Sequence, residues 1–375
     1  MEHTFVGDSD GSGFDVIIVG ASFGGLAAAM ELGGEARVLL VDREPVGAGQ
    51  TSACATPLPV LERLELEESI EQVHPCSVFH LPDGGAHRLL TRYPFATFDY
   101  SRLCRLLFER TGAEFLQASV RGLAGPGTVA TSRGEYSAPL LIDASGWRAV
   151  LAPAATPDGR PSARRPSVGI EVREPGGGTD LHFWLHHPAM RDGYIWDFPA
   201  GDHRRVGVIT YGSSGKLKQR LEDFMERPLA SASLHGGGLP ARLPHGVADE
   251  RILLVGDSAG QCLPLTGEGI RPALVYGQAA GRLARRVLAG ELSLPAALAA
   301  YQRTLRRVRP AYTALALLQG GLGRIPSRSV PAFAWLFGAG PLSGPAERAY
   351  WAAARPERLS AARSRPHAAA ASSRG

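Results

Sequence analysis

The sequence predicts an α/β protein: a Rossmann-type domain that is discontinuous along the chain, an inserted antiparallel β domain and a C-terminal helical region. Three observations predict it. Short apolar, β-branched runs of the kind buried in parallel sheets stand near both ends of the chain. Glycine-rich turns follow the outermost of these runs. Between them lies a stretch of alternating and aromatic segments punctuated by Gly, Pro and Asp. At roughly 150 residues per domain, 375 residues leave room for two or three domains.

The elements follow in order. Phe14–Gly20 (FDVIIVG) reads as a buried strand, Leu26–Leu32 as a small-residue helix stopped by Gly33 and Gly34, and Arg37–Asp42 as a second buried strand. Strand, turn, helix and strand in under about 30 residues open a doubly wound sheet. Asp99–Arg110 reads as a helix with Asp99 as its N-cap and Gly112 as its stop. Pro139–Ala144 and Arg251–Val255 are further buried strands. Ser167–Arg173, Leu181–Leu185, Tyr194–Phe198 and Arg205–Tyr211 read as an antiparallel sheet with one face free to line a cavity. Ile270–Leu288 and Leu294–Arg309 read as helices, the second ended by Pro310.

Composition narrows the function. Glycine accounts for 46 residues, about 12% against a usual value of about 7%, without a collagen period, so backbone must approach something closely. The net charge of +4 is dispersed, and Lys216 and Lys218 are the only lysines, which gives no nucleic-acid footprint. Four cysteines, Cys54, Cys76, Cys104 and Cys262, contain no C-x-x-C pair, so a cytoplasmic, reducing location is expected, with peripheral membrane contact left open. Met1–Gly13 is polar, without the apolar core of a secretory leader, and is expected to be flexible. No H-E-x-x-H or Cys/His cluster is present, and no metal site is expected.

The turn Gly20-Ala21-Ser22-Phe23-Gly24-Gly25 has the parts of a dinucleotide site. Gly20 makes the bend, Ser22 is small enough for backbone to approach a pyrophosphate, and Gly25 lets helix pack on strand. Gly24 belongs to the same turn. Asp42, 22 residues after Gly20 and ending the second strand, is placed to bind a ribose, with Arg43 beside it. Gly256-Asp257-Ser258-Ala259-Gly260 also matches the G-x-S-x-G elbow of hydrolases. Pro264 follows too soon for the required helix, however, and the only downstream histidine is His367 in the tail.

Leu263-Pro264-Leu265-Thr266-Gly267-Glu268-Gly269-Ile270-Arg271 completes the picture. With Gly256-Asp257 it resembles the geranylgeranyl reductase family, within the larger group that includes para-hydroxybenzoate hydroxylase. The resemblance implies that Asp257 binds the ribityl chain of FAD and that Gly267, Gly269 and Ile270 begin a helix aimed at the flavin. Tyr194-Ile195-Trp196-Asp197-Phe198-Pro199, with Gly207 beyond, is similar to that family's Y-x-W-x-F-P…G-x-G signature, although Ile209 stands at the second glycine. Alternation puts Tyr194, Trp196 and Phe198 on one strand face, where, with Pro264, they would line the substrate cavity. Leu141–Arg148 is similar to the second FAD-side motif, with Ser145 in place of the hydroxylases' aspartate. Cys54 lies about where these reductases carry a cysteine near the flavin, and is the expected catalytic residue, as acid or aligner, against a plain packing role.

The resemblance implies an FAD-dependent oxidoreductase that reduces carbon–carbon double bonds of a hydrophobic, isoprenoid or other natural-product substrate by hydride from reduced flavin and a proton from a nearby acid. NAD(P)H or ferredoxin is the expected reductant, because no second glycine-rich nucleotide motif is visible. A flavin monooxygenase is the alternative. Two further readings carry less weight: a non-catalytic flavin- or lipid-binding protein, and a flavin halogenase, which needs an early lysine where this chain has none before Lys216. The FAD domain is expected over 14–58, 96–155 and 245–300, the substrate domain over 59–95 and 156–244, a helical region over 301–355 and a disordered tail over 356–375.

Overall fold

The computed structural model describes residues 13–34, 36–152, 167–212, 215–240 and 243–361. The expectation for residues 1–12 and that for 362–375 lie outside them.

A six-stranded sheet carries the outer segments of the chain. Its order is Val247–Asp249, Ile252–Leu254, Leu140–Asp143, Val16–Val19, Val38–Asp42 and Glu114–Gln117. All neighbours run parallel except the first pair. Alternation divides the central strand between two cores. Val16 and Ile18 pack under the helices Phe23–Leu32, Tyr100–Phe108 and Ile270–Leu288. Ile17 and Val19 face a three-stranded antiparallel sheet of Val120–Gly125, Thr128–Thr131 and Gly134–Ser137. This meander covers the second face of the sheet, with Val129 and Tyr136 supplying the apolar cover.

The middle of the chain forms a seven-stranded sheet, in the order Leu234–Leu239, Ser167–Pro175, His203–Thr210, Met190–Ala200, Leu181–His187, Ser77–His80 and Ala86–Leu89. It is antiparallel apart from the pairing of Leu181–His187 with Ser77–His80. A small sheet of Ala55–Pro57, Phe95–Phe98 and Ile70–His74 stands between the two large ones.

Asp99 caps its helix as expected, accepting the Arg102 N–H at 2.6 Å. Pro310 does not end its helix, which runs from Leu294 to Leu322. Val308, Tyr312 and Leu315 on either side of it are buried, and that packing outweighs the lost hydrogen bond of one proline. Residues 356–361, expected to belong to a disordered tail, pack against the body of the protein. Leu359 is buried, and Gln278 brackets Ser360 through bonds of 2.7 and 3.2 Å to its carbonyl and N–H, so residues 356–361 are pinned to the helix Ile270–Leu288. Among the described residues, no helix is long and apolar enough to cross a membrane.

Candidate active site

The ends of the parallel strands and one face of the seven-stranded sheet enclose a cavity of about 1660 Å³. Its dinucleotide side is made largely of backbone. Gly20 has φ +107°, and a β-carbon there would lie 2.2 Å from the Ala144 carbonyl oxygen. A β-carbon on Gly25 would lie 1.9 Å from the Gly20 oxygen, so only glycine lets the helix close onto the strand. Ser22 leaves the helix uncapped, because its Oγ accepts the Tyr100 hydroxyl at 3.1 Å. The first-turn N–H groups lack intrahelical partners and stand beside the cavity that Ser22 and Gly24 line, an arrangement suited to phosphate.

Asp42 closes the turn from the next strand. Its Oδ2 accepts the Ala21 N–H at 2.7 Å and its Oδ1 accepts that of Glu44 at 3.1 Å. An ionised carboxylate has about four acceptor sites, which leaves two for ribose hydroxyls. Arg43 lines the cavity beside it. Gly256, at φ +65°, turns the strand Ile252–Leu254 so that Asp257 reaches the same cavity. Ser258, the nominal nucleophile of the hydrolase reading, is fully buried and donates to Asp143 Oδ1 and to the Gly146 carbonyl, both at 2.9 Å. That hydroxyl ties strand ends together.

Gly267, Gly269 and Ile270 line the cavity at the start of the helix Ile270–Leu288. Glu268 and Arg271 fix this turn through bidentate bonds of 2.8 and 2.7 Å. The fully buried guanidinium lies 4.6 and 4.9 Å from the ring centres of Tyr350 and Trp351, which fastens the helix Ser343–Ala353 to the turn.

The opposite wall is made of side chains. Tyr194, Trp196 and Phe198 line the cavity from one face of their strand, with adjacent ring centres 6.1 and 6.3 Å apart. The Tyr194 hydroxyl donates to the Thr266 carbonyl, and that of Tyr211 donates to Leu265 at 2.6 Å. Two tyrosines therefore hold the glycine loop against the aromatic strand. Gly207 pairs in register with Trp196, and a β-carbon on it would lie 2.2 Å from the indole, so the glycine is what lets that ring lie across the sheet. Ile209, at the second signature glycine, pairs with Tyr194 and lines the cavity as well.

Two expected site residues lie elsewhere. Pro264 is half-buried and does not line the cavity, while its neighbours Leu265 and Thr266 do. Cys54 is fully buried in the core beneath the helices, between Ala53 and Ala55, which do face the cavity. A left-handed φ of +52° turns its side chain inward, where Sγ donates to the Ser52 carbonyl at 3.3 Å. Burial pushes its thiol well above the ordinary range. The structure places the Cys54 thiol in the core and not on the cavity, where a proton donor was expected.

One cluster escaped the sequence reading. Glu171, 3% exposed, accepts the Trp196 indole N–H at 2.8 Å and lies 2.9 Å from His235 Nε2. Arg205 stands 3.8 Å from Glu171 and 3.2 Å from Glu71. The only signal was a carboxylate set between the apolar residues Val168, Ile170 and Val172 of the strand Ser167–Pro175. His235 lines the cavity and is followed there by Gly236, Gly237 and Gly238.

The residues present fit FAD. Glycines that exclude any side chain border the cavity, carboxylates project from two strand ends, and the volume exceeds the roughly 300–1,000 Å³ of most ligand sites. Gly20, Ser22 and Gly24 would hold the pyrophosphate, Asp42 the ribose, Asp257 the ribityl chain and the Gly267–Ile270 turn the ring. When bound, FAD supplies two-electron redox chemistry.

No family model matches the chain. It is 27% identical over 310 residues to digeranylgeranylglycerophospholipid reductase 1 of Methanothermobacter thermautotrophicus, covering 72% of this chain and 76% of the relative. It is 33% identical over 117 residues to the digeranylgeranylglycerophospholipid reductase of Methanocaldococcus jannaschii, a match spanning 29% of this chain and 30% of that relative. In fold it is similar to a geranylgeranyl bacteriochlorophyll reductase-like protein of Thermoplasma acidophilum, with a TM-score of 0.76 and 18% identity over 92% of this chain and 97% of that one. It is also similar to PqsL, a probable FAD-dependent monooxygenase of Pseudomonas aeruginosa, with a TM-score of 0.65 and 18% identity over 86% and 99% of the two chains. The sequence relatives, the shared fold and the glycine-and-carboxylate cradle agree: the chain is similar to the geranylgeranyl reductases and is an FAD-dependent oxidoreductase.

Proposed function

We propose that the protein reduces carbon–carbon double bonds in a long, hydrophobic isoprenoid or similar natural product. The observation that carries this reading is the apolar lining that the C-terminal helices add to the cavity. Leu315, Leu318, Leu322, Phe333 and Phe337 of those helices border it together with Phe79 and Phe183. Such a lining suits a flexible hydrocarbon chain, whose burial contributes about 0.8 kcal/mol per CH₂. Leu90, 77% exposed yet lining the cavity, marks an apolar mouth through which a tail would enter.

The chain's own part in the reaction is positional. Tyr194 and Tyr211 hold the glycine loop in place, Trp196 and Phe198 press the substrate toward it, and the surrounding aromatics exclude water. The electron donor is proposed to be NAD(P)H or a ferredoxin, docking transiently.

The test is anaerobic. FAD-loaded protein reduced with dithionite and mixed with geranylgeraniol or a digeranylgeranyl glycerolipid is expected to return product two mass units heavier per bond reduced. Turnover that instead needs oxygen and adds sixteen mass units would replace this reading with a monooxygenase.

A further inference from the structure

We propose that His235, held by Glu171, donates the proton that completes the reduction, a step that rests on the alkene-reductase reading above. With Cys54 turned into the core, the cavity needs another acid, and the Glu171 cluster places one there.

The geometry is that of a histidine–carboxylate dyad. Glu171 is buried on the inward face of Ser167–Pro175, and His235 sits across from it in register on Leu234–Leu239. Ionised, Glu171 only accepts hydrogen bonds, so the 2.9 Å contact fixes a proton on His235 Nε2. Nδ1 takes no protein partner among the described residues, on a ring that borders the cavity. One carboxylate therefore orients two cavity side chains, the His235 imidazole and the Trp196 indole. The glycines that follow, Gly236 to Gly238, flatten the wall beside the imidazole, and Thr51 and Trp147 approach it there.

Charged groups surround the pair: Glu71 and Glu171 flank the single guanidinium of Arg205, at 3.2 and 3.8 Å. Other groups facing the cluster include Gln50, whose amide lies 3.5 Å from His235 Nε2, His203, 3.7 Å from Glu71 on its far side, and the buried Cys54 thiol, which interacts electrostatically with Arg205, Glu171 and Glu71.

The step balances. The alkene π bond breaks, and one carbon receives a hydride from FAD previously reduced by a two-electron donor. The other carbon takes the proton as the His235 Nδ1–H bond breaks. Neutral His235 is then reprotonated from solvent at the cavity mouth, while Glu171 keeps its charge throughout. Glu171 touches neither reactant and is a positioning residue.

The experiment uses the full-length, FAD-loaded protein, with wild type compared to His235→Gln, His235→Asn and Glu171→Gln. Nitrogen-15 NMR of the histidine side chains is read first, without substrate. Wild type is expected to show an Nε2–H signal hydrogen-bonded to a carboxylate, which Glu171→Gln shifts and both His235 variants lose. Rapid mixing then follows the two half-reactions, with dithionite as donor and geranylgeraniol as acceptor in D₂O. Reduction by dithionite is expected to be unchanged in all variants. Substrate-driven reoxidation should fall about 100-fold or more in both His235 variants, the range typical of a lost general acid, and about tenfold in Glu171→Gln with a displaced pH profile. Wild-type product should carry one solvent deuterium per bond on a single face, and residual product of the His235 variants should lose that facial selectivity. Alkene reduction at the wild-type rate in the His235 variants overturns the proposal and leaves the function standing. Failure of wild type to reduce the alkene, with the NMR signal intact, overturns the function and this proposal with it.

Discussion

The two walls of the cavity are built from different materials. Gly20, Gly24, Gly256 and Gly267 present backbone to the dinucleotide side, where any β-carbon would collide or require a strained φ. Tyr194, Trp196, Phe198 and His235 present side chains to the other side, oriented by carbonyls and one buried carboxylate. A backbone wall recognises what every FAD has in common and tolerates little change. A side-chain wall sets what lies opposite the flavin, and can be altered residue by residue.

Substitutions that exchange these effects would break the comparison, and the largest effect is expected on the backbone side. Gly25→Val drives a side chain into the Gly20 carbonyl and should leave little yellow, soluble protein, with the 450-to-280 nm absorbance ratio below about a tenth of wild type. A normally yellow variant would mean that the strand–helix contact is looser than described.

Arg271→Met comes next. Its side chain is fully buried and paired with Glu268, so removing one partner should cost about 3–5 kcal/mol and lower the thermal midpoint by roughly 5–10 °C. Adding Glu268→Gln should recover at least half of that loss, because no charge is then left buried alone. A double variant worse than the single would assign Glu268 a role beyond the pair.

Two milder changes sharpen the division. Asp257→Ala is expected to weaken FAD about tenfold, roughly 1.4 kcal/mol by equilibrium dialysis, with substrate turnover intact at saturating FAD. Trp196→Phe keeps an aromatic ring but loses the bond to Glu171. It should leave FAD content unchanged and lower turnover of a prenyl substrate about tenfold. Equal effects of both variants on FAD content would erase the distinction between the walls.

The smallest effect concerns the thiols. All four cysteines are buried, and burial raises Cys54 and Cys262 well above the ordinary range and pushes Cys104 up to about 12. Ellman's reagent at pH 8 should find fewer than one thiol in the native protein and four after denaturation. Because the folded values lie above the unfolded ones, the contribution of these thiols is complete below about pH 9 and is lost as pH rises toward 12. Cys104→Ala should therefore flatten the alkaline limb of the stability profile. Cys54→Ala should leave both half-reactions in place, as the thiol's place in the core predicts.

Several features were legible in the sequence because they are local. Strand–glycine–helix order, the Asp42 spacing and the Asp99 cap each depend on a few neighbouring residues, and the structure has them in the expected contexts. Alternation alone put Tyr194, Trp196 and Phe198 on one face. Gly207 was noticed as part of a signature, but its reason, the Trp196 ring lying across it, became visible only in register.

Other features required the third dimension. The direction of the Cys54 side chain turns on a single φ, which spacing does not encode. Pro310 sits inside a helix because Val308, Tyr312 and Leu315 are buried against distant elements, a long-range gain that outweighs a local rule. The Glu171–His235 pair joins residues 64 apart, and only the carboxylate among apolar strand neighbours hinted at it. By itself the sequence determined the glycine turns and strand-end carboxylates, because these act through local backbone geometry. Only the tertiary structure decided which further side chains, Glu171 and His235 among them, meet at the opposite wall, because burial and hydrogen-bond partners are set by strand pairing across the chain.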